Sequence, residues 1–276
     1  MLVKSVSELK DLLRNAKEQE NKIGFVPTMG ALHDGHISLV NQANSQNNLV
    51  VVSIFVNPTQ FNNQEDLKLY PRTLEKDLEL LKGFENCIIF CPTISEIYPD
   101  NEQFNSIDLG KLDKVLEGKF RPGHFQGVVH VVHNLFKIVM PDNAYFGLKD
   151  FQQLAVIRFM NKQYEFPIQI FGCETLRDKT GLALSSRNMR LSDEEREDAL
   201  ILWKTLNYIK ENKTAYSPFE LKKQAINFFN QGKLELEYLE IVTAETLEIA
   251  SDWSTENVCC IAAYCGKVRL IDNLLL

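Results

Sequence analysis

Blocks of apolar and amphipathic residues alternate along the first half of the chain. Residues 22–26 and 49–56 are predicted strands, and the second is β-branched and apolar on both faces, as expected within a parallel sheet. Further strands are predicted at 87–90, 144–146 and 168–171, and helices at about 35–43, 74–82, 128–139 and 151–164. This alternation favours right-handed crossovers and an α/β fold with a doubly wound parallel sheet.

The pattern changes after Gly172. Ser192 and Glu195 form a capping box that begins a charged helix, and a second helix is predicted at about 218–230. Strand-like runs follow at 235–242, 258–264 and 268–271, with a hairpin turn at 265–267. We therefore predict two domains: residues 1–174 with the parallel sheet, and residues 175–276 as a smaller α+β lid.

Charge and composition narrow the possible functions of the 276-residue chain. The formal net charge of −7 does not attract phosphate backbones, which disfavours a dedicated nucleic-acid binder. No apolar run reaches the roughly 18 residues of a membrane helix. The first residues carry charges where a signal peptide needs its apolar core, so we expect a cytoplasmic protein with no membrane partner. The six cysteines lack CxxC spacing and are expected to be reduced, buried thiols.

In doubly wound sheets, ligands collect beyond the carboxyl ends of the strands, which directs attention to the loops there. The segment PTMGALHDGH, residues 27–36, stands where the first predicted strand turns into a helix. Its glycines allow the backbone to approach a ligand closely, and the start of the helix offers unpaired N–H groups. His33 and His36 project to one side of the first turn, where they can donate hydrogen bonds to phosphate oxygens.

Two other interpretations of this histidine pair stay open at this point. The side chains could be ordinary surface histidines, or they could bind zinc. A zinc site would need further ligands nearby, and none stands at metal-like spacing. The strand, the glycines and the turn position favour the phosphate site.

The HxGH pattern after a first strand resembles the HIGH-type signature of the nucleotidyltransferase superfamily that includes class I aminoacyl-tRNA synthetases. The second hallmark of that superfamily is a downstream loop of Ser with Lys or Arg that closes over the triphosphate. Leu184, Ser185, Ser186 and Arg187 match this loop, with two hydroxyls and a guanidinium that can hold phosphate bidentately. The resemblance implies a Rossmann-like sheet and transfer of AMP from ATP.

Four further segments stand in order between the two hallmarks: SIFVNPTQF (53–61), YPRT (70–73), RPGHFQGV (121–128) and FGLKDFQQL (146–154). From about residue 24 to residue 190, the chain closely resembles the pantoate–β-alanine ligase family. The resemblance implies that Mg·ATP joins pantoate to AMP with release of pyrophosphate. β-Alanine then attacks the acyl adenylate, which gives pantothenate and AMP. It also implies a homodimer that binds these small molecules and Mg²⁺. No nucleic-acid partner is expected.

The resemblance assigns roles to individual positions of this sequence. The expected catalytic residues are His36 with its partner His33, Lys149, Ser185, Ser186 and Arg187. ATP contacts are expected at Met29, Gly30, Ala31, Leu32, His33, Asp34, Gly35, His36, Gly147, Leu148, Lys149, Asp150, Leu176, Leu184, Ser185, Ser186 and Arg187. Contacts with pantoate and β-alanine are expected at Gln60, Gln153, Pro27, Thr28 and Phe61, and a magnesium contact at Asp77.

Some positions depart from the family pattern. Leu148 replaces a glutamate between Gly147 and Lys149, and Asn134 replaces a frequent lysine. Lys76 stands where a second acid often precedes Asp77. The last two changes concern the expected phosphate and magnesium contacts.

Two rival functions have their own sequence requirements. A nucleotidyltransferase that moves AMP or CMP onto a phosphate would need basic residues where Gln60 and Gln153 stand. An RNA-binding relative of the synthetases would need a basic face in the C-terminal segment, and the sequence shows none. Both rivals are therefore disfavoured.

Overall fold

The computed structural model describes residues 1–99, 104 and 106–276. A parallel six-stranded sheet occupies the first part of the chain. Its strands are β1 (Leu2–Val3), β2 (Ile23–Thr28), β3 (Leu49–Ile54), β4 (Cys87–Phe90), β5 (Asn143–Gly147) and β6 (Gln169–Cys173). They lie in the order β1-β4-β3-β2-β5-β6, so the winding reverses between β2 and β5. Such a switch point is where doubly wound sheets bind ligands.

Helices cover both faces of this sheet. They are α1 (Val6–Glu18), α2 (Asp34–Gln46), α3 (Gln64–Leu69), α4 (Leu74–Leu81), α5 (Ile94–Ile97), α6 (Leu116–Phe120), α7 (His124–Val139) and α8 (Phe151–Gln163). One face packs on α1, α7 and α8 around Phe25 and Val51. The other packs on α2 and α4 around Val26, Val50 and Val52. Successive strand residues thus face opposite helical layers, which is why the run from residue 49 is apolar on both faces.

The sequence patterns did not predict β1 or α1. β1 has only two residues, which pair with β4 at the edge of the sheet. α1 begins after the N-cap Ser5, whose side chain accepts the N–H of Glu8, and it buries Leu9 and Leu13 one turn apart. That spacing is typical of an amphipathic helix, so the sequence does contain a signal for α1.

The last hundred residues form a separate antiparallel sheet with two helices. The elements are α9 (Asp193–Asn212), α10 (Pro218–Phe229), β7 (Glu235–Thr243), β8 (Asn257–Cys265) and β9 (Val268–Leu275). The predicted capping box from Ser192 to Glu195 and the β8–β9 hairpin are both confirmed. The fold class is therefore confirmed, while the predicted boundary between residues 174 and 175 stays a prediction.

The two faces of the small sheet have different partners. Cys259 and Ile261 of β8 face α9 and α10. Cys260 and Ala262 face the opposite way, towards Leu116 and the part of the chain that carries the large sheet. The second sheet is therefore packed on the first part of the chain through an apolar surface.

All six cysteines are free thiols, and all but the half-buried Cys91 are buried. The predicted burial is therefore confirmed for five of the six thiols. No helix among the described residues is both long and apolar enough to cross a bilayer.

Candidate active site

A cleft of about 240 Å³ opens beyond the carboxyl ends of β2, β3 and β5, and β9 of the small sheet closes one side of it. The predicted site residues that line it are Pro27, Thr28, Met29, His33, Gly35, His36, Gln60, Phe61, Gly147, Lys149, Asp150, Gln153, Leu176, Leu184, Ser185, Ser186 and Arg187. The predicted residues that do not line it are Gly30, Ala31, Leu32, Asp34, Leu148 and Asp77. Segments that are far apart in the sequence thus meet at one cavity, as the loop prediction required.

The turn after β2 depends on an unusual backbone. Gly30 has φ 79°, and a Cβ there would lie 3.0 Å from both Asp77 and Ile54. Ala31 follows with φ 48°, in the left-handed region that costs an alanine energy. The hydroxyl of Thr28 accepts the N–H of Gly30 and donates to the carbonyl of Ser53. The strained turn is therefore held from the neighbouring strand.

Asp77 of α4 holds the same turn from the other side. Its carboxylate accepts the N–H groups of Ala31 (3.0 Å) and Leu32 (2.8 Å) and the hydroxyl of Thr73 (3.0 Å). Only 1% of the residue is exposed. Both oxygens are thus occupied by donors, and the side chain stabilises a backbone loop behind the cleft wall.

The two histidines of the motif are oriented by the backbone. The Nδ1 atom of His33 accepts the N–H of Gly35 (3.2 Å), and Nδ1 of His36 accepts the N–H of His33 (3.4 Å). A neutral imidazole that accepts at Nδ1 carries its proton on Nε2. The ring centroids are 4.1 Å apart. The pair can therefore present two Nε2–H donors side by side.

Both histidines are neutral at physiological pH. Burial and the nearby charge of Lys149 lower the pKa of His33 to about 4. Burial, His33 and Lys149 lower the pKa of His36 to about 3. The site therefore supplies hydrogen-bond donors without relying on imidazolium charge.

Gln60 is fixed on three sides. Asn57 donates to its Oε1 (3.1 Å), its Nε2 donates to the sulfur of Met29 (3.0 Å), and its backbone carbonyl accepts from Nδ1 of His124 (2.8 Å). Asn57 in turn accepts the hydroxyl of Tyr98. The amide of Gln60 is therefore held beside the histidine turn, at the edge of the cleft.

The adjacent glutamines of α8 have different surroundings. Gln152 is buried, donates to the carbonyls of Leu112 and Val115, and accepts the N–H of Glu117. Gln153 is partly exposed and lines the cleft. Because the amide of Gln152 is occupied by protein partners, Gln153 is the one of the two that is placed to serve a ligand.

The predicted phosphate loop touches the histidine turn directly. The hydroxyl of Ser186 donates to the carbonyl of Ala31 (3.0 Å), and that of Ser185 accepts the N–H of Arg187 (3.3 Å). Asp66 of α3 binds Arg187 (2.7 Å) and also Arg190 (2.9 Å). Burial raises the pKa of Asp66, but the two arginines lower it by more, so the pKa of this carboxyl lies below its usual value. The loop is therefore held between the turn after β2 and α3, with the guanidinium of Arg187 at the cleft.

The segment 147–150 and Leu176 line the opposite wall. Leu148 packs its side chain into the core and leaves Lys149 and Asp150 at the cleft. Leu176 is 41% exposed, and its carbonyl accepts the N–H of Leu184, so the two predicted nucleotide segments are joined.

Several residues of the site have no signal in a short sequence window. Asn57 and Asp66 stand within or beside the quoted motifs, but their partners lie elsewhere in the fold. Glu117 and Arg121 line the cleft through a charged cluster with Arg269. Contacts of this kind become visible only when the fold is known.

Comparison with known proteins agrees with the geometry. The model of the pantoate–β-alanine ligase family matches residues 1–275. A pantothenate synthetase of Phocaeicola vulgatus is 49% identical over 283 residues, which cover 99% of this chain and 98% of that protein. A pantothenate synthetase of Cytophaga hutchinsonii is 47% identical with the same coverage.

Solved structures give the same result. Pantothenate synthetase from Thermus thermophilus superposes with a TM-score of 0.93 at 42% identity, covering 99% of this chain and 98% of that one. A pantoate–β-alanine ligase from Francisella tularensis, complexed with β,γ-ATP and β-alanine, has a TM-score of 0.83 at 37% identity, with 100% and 97% covered. This chain belongs to the pantoate–β-alanine ligase family.

Proposed function

We propose that this protein joins pantoate to β-alanine at the expense of ATP, through a pantoyl-adenylate intermediate, with release of pyrophosphate and AMP. The observation that carries the proposal is one shared cleft. His33, His36, Lys149 and Arg187 line it together with Gln60, whose amide is held by Asn57 and Met29. Groups that can donate hydrogen bonds to phosphate therefore lie in the same cleft as the uncharged amide of Gln60.

In the first step, a carboxylate oxygen of pantoate attacks the α-phosphorus of ATP. A P–O bond forms to the carboxylate, the bond to the bridging oxygen of the β-phosphate breaks, and pyrophosphate leaves. Negative charge grows on the phosphoryl oxygens, where the neutral imidazoles of His33 and His36 donate hydrogen bonds. Lys149 and Arg187 are placed to hold the leaving phosphates.

The amides of Gln60 and Gln153 suit the hydroxyls and carboxylate of pantoate, because an amide both donates and accepts without adding charge. Met29, Asn57 and His124 hold Gln60 in place, so little rotamer freedom is lost when the acid binds. Phe61 and Pro27 supply apolar wall beside these amides.

In the second step, the amine of β-alanine attacks the acyl carbon. The C–N bond forms, the C–O bond to AMP breaks, and the amine loses a proton. The Francisella tularensis relative that was crystallised with β-alanine and β,γ-ATP supports the same pair of ligands here. A cleft closed on one side by β9 also protects an acyl adenylate from water.

Magnesium belongs to this proposal as the ion that travels with ATP and neutralises phosphate charge. Asp77, the residue predicted to contact it, does not fit a direct ligand, because both its oxygens accept protein donors. Asp150 is the predicted carboxylate that lines the cleft, and Mg²⁺ is commonly held by one carboxylate together with phosphates. No group of three acidic, histidine or cysteine side chains suited to a metal occurs among the described residues.

Asp77→Asn tests this reassignment. The variant should unfold more easily, by about 1.5–3 kcal/mol, because an amide cannot accept all three bonds. The Mg²⁺ concentration that gives half-maximal activity should not change. Thermal unfolding and a Mg²⁺ titration measure the two effects, with the exposed Glu75→Gln in the same helix as the matched control. A several-fold shift in the Mg²⁺ requirement would return Asp77 to the metal.

The function is tested by isotope exchange. The protein, Mg·ATP and labelled pyrophosphate should exchange label only when pantoate is added, and β-alanine should not be required. Adding β-alanine should then yield pantothenate and AMP in equal amounts. Exchange that depends on an amino acid or on a phosphorylated acceptor instead would favour a different adenylyl transfer.

We also propose a homodimer, as the family resemblance implies. Sedimentation equilibrium tests it by giving a mass of one or two chains.

A further inference from the structure

The last strand of the small sheet reaches across to the predicted nucleotide segment. The side-chain amide of Asn273 in β9 donates to the carbonyl of Leu148 (2.9 Å) and to the carbonyl of Lys149 (2.8 Å). Only 7% of Asn273 is exposed. Both protons of one amide are thus used on two consecutive peptide groups.

These two carbonyls belong to the peptide planes on either side of the Cα atom of Lys149. Fixing both planes fixes the backbone dihedrals of that residue, and with them the direction of its Cα–Cβ bond. A flexible four-carbon side chain is useful for binding phosphate only if its stem begins at a defined place. Asn273, which is 124 positions away in the sequence, therefore fixes the place where the side chain of Lys149 begins.

The neighbour of Asn273 holds the other nucleotide segment. Asp272 accepts two hydrogen bonds from the guanidinium of Arg177 (2.6 and 2.9 Å) and one from the backbone N–H of Asn273 (2.8 Å). The carbonyl of Asn273 accepts a further bond from Arg177 (3.2 Å). Arg177 follows Leu176, so both predicted nucleotide segments are tied to the same two residues of β9.

We propose that Asn273 is a positioning residue for Lys149, and that β9 thereby sets the distance between the two walls that receive ATP. This inference rests on the proposed function, since it takes Lys149 to contact the phosphates. It assigns the small sheet a part in nucleotide binding that does not require any of its side chains to touch ATP.

The test replaces Asn273 with alanine and follows pantoate-dependent exchange together with binding of a non-hydrolysable ATP analogue. The KM for ATP and the Kd of the analogue should rise roughly 5- to 30-fold, as for the loss of one or two buried hydrogen bonds. The KM for pantoate should stay within about twofold, because Gln60 has separate supports.

Asn257→Ala is the matched control. Asn257 lies in β8, is fully buried, and donates to the carbonyls of Asp252 and Thr255, all within the small domain. Its loss should lower the unfolding temperature of the protein without changing the KM for ATP. If Asn273→Ala does not fold, Asn273→Leu keeps a similar side-chain size, loses the donors without adding charge, and gives the same comparison.

An Asn273 variant with the wild-type KM for ATP and wild-type analogue affinity would overturn the inference. So would an Asn257 variant that weakens ATP binding equally, since general loosening would then suffice. A wild-type protein that binds the ATP analogue but shows no pantoate-dependent exchange would instead defeat the proposed function, and the analogue titration would still test Asn273.

Discussion

Replacement of His36 by alanine should lower pantoate-dependent ATP–pyrophosphate exchange by roughly 10²- to 10³-fold, the usual effect of removing one donor to a transition-state oxyanion. His36 lines the cleft and its Nδ1 is used by the N–H of His33, which leaves Nε2 for the phosphoryl group. The lost bond to His33 is long, at 3.4 Å, so the unfolding temperature should change little. Single-turnover exchange and thermal unfolding measure the two quantities.

Two controls separate hydrogen bonding from proton transfer. His36→Gln places an amide donor near the position of Nε2 and should recover part of the rate. Because the pKa of His36 is lowered to about 3, the exchange rate should not fall as pH decreases through 6.5. A fall in rate near pH 6.5 that occurs in the wild type and is absent from His36→Gln, or an alanine variant with nearly normal exchange, would remove the neutral donor from the mechanism.

The second large effect concerns stability. Glu117→Ala should lower the free energy of unfolding by about 3 kcal/mol, because it removes the buried carboxylate that pairs with both Arg269 and Arg121, although Arg269 keeps its ion pair with Glu237. Glu117 of α6 accepts two bonds from Arg269 of β9 (2.7 and 2.8 Å) and the hydroxyl of Tyr238 of β7 (2.8 Å). Its side chain is 9% exposed and that of Arg269 is 18% exposed. Urea unfolding at pH 7 measures the loss.

The exposed pair Lys233–Glu194 provides the control, since its side chains are 66% and 79% exposed and Glu194→Ala should change stability little. Acid gives an independent check. Burial raises the pKa of Glu117, but hydrogen bonds from Arg269 outweigh it and lower the pKa to about 2. The carboxylate therefore stabilises the fold fully above pH 4.5, and this contribution disappears as pH falls towards 2. A Glu117 variant with unchanged acid sensitivity would contradict this account.

Five of the six strands of the large sheet could be predicted from their apolar runs; β1, with only two residues, could not. Prolines follow the predicted runs that end at residues 26, 56 and 90 within two positions; β4 matches its run of 87–90 residue for residue, whereas β2 continues through Pro27 to Thr28 and β3 ends at Ile54. The order of the strands could not be predicted, since every parallel pairing buries similar apolar runs. The departure at Leu148 also has a physical account, because its side chain packs into the core beside the cleft residues.

The residues of the site also fall into two groups, those that the sequence could identify and those that it could not. The histidine turn, Gln60 and the serine loop are encoded by contiguous motifs, so sequence reasoning placed them together. The family resemblance implies a magnesium contact for Asp77, whereas the three donors that its carboxylate accepts depend on tertiary contacts that a motif does not contain. Asp66 and Asn273 find their partners 121 and 124 positions away or more, and no pattern within a window predicts such pairings.

Three of the six thiols lie in or beside the large sheet, and the other three lie in the small sheet. Burial raises the pKa of Cys87, Cys91 and Cys173, around the large sheet, to about 11. Burial also raises the pKa of Cys259, Cys260 and Cys265 along β8. A thiol reagent reacts with the thiolate, so alkylation of the five buried thiols must wait until the surrounding structure opens, whereas the half-buried Cys91 is accessible earlier. The kinetics of alkylation, resolved site by site by mass spectrometry, would therefore time the opening of each half of the molecule without any added label.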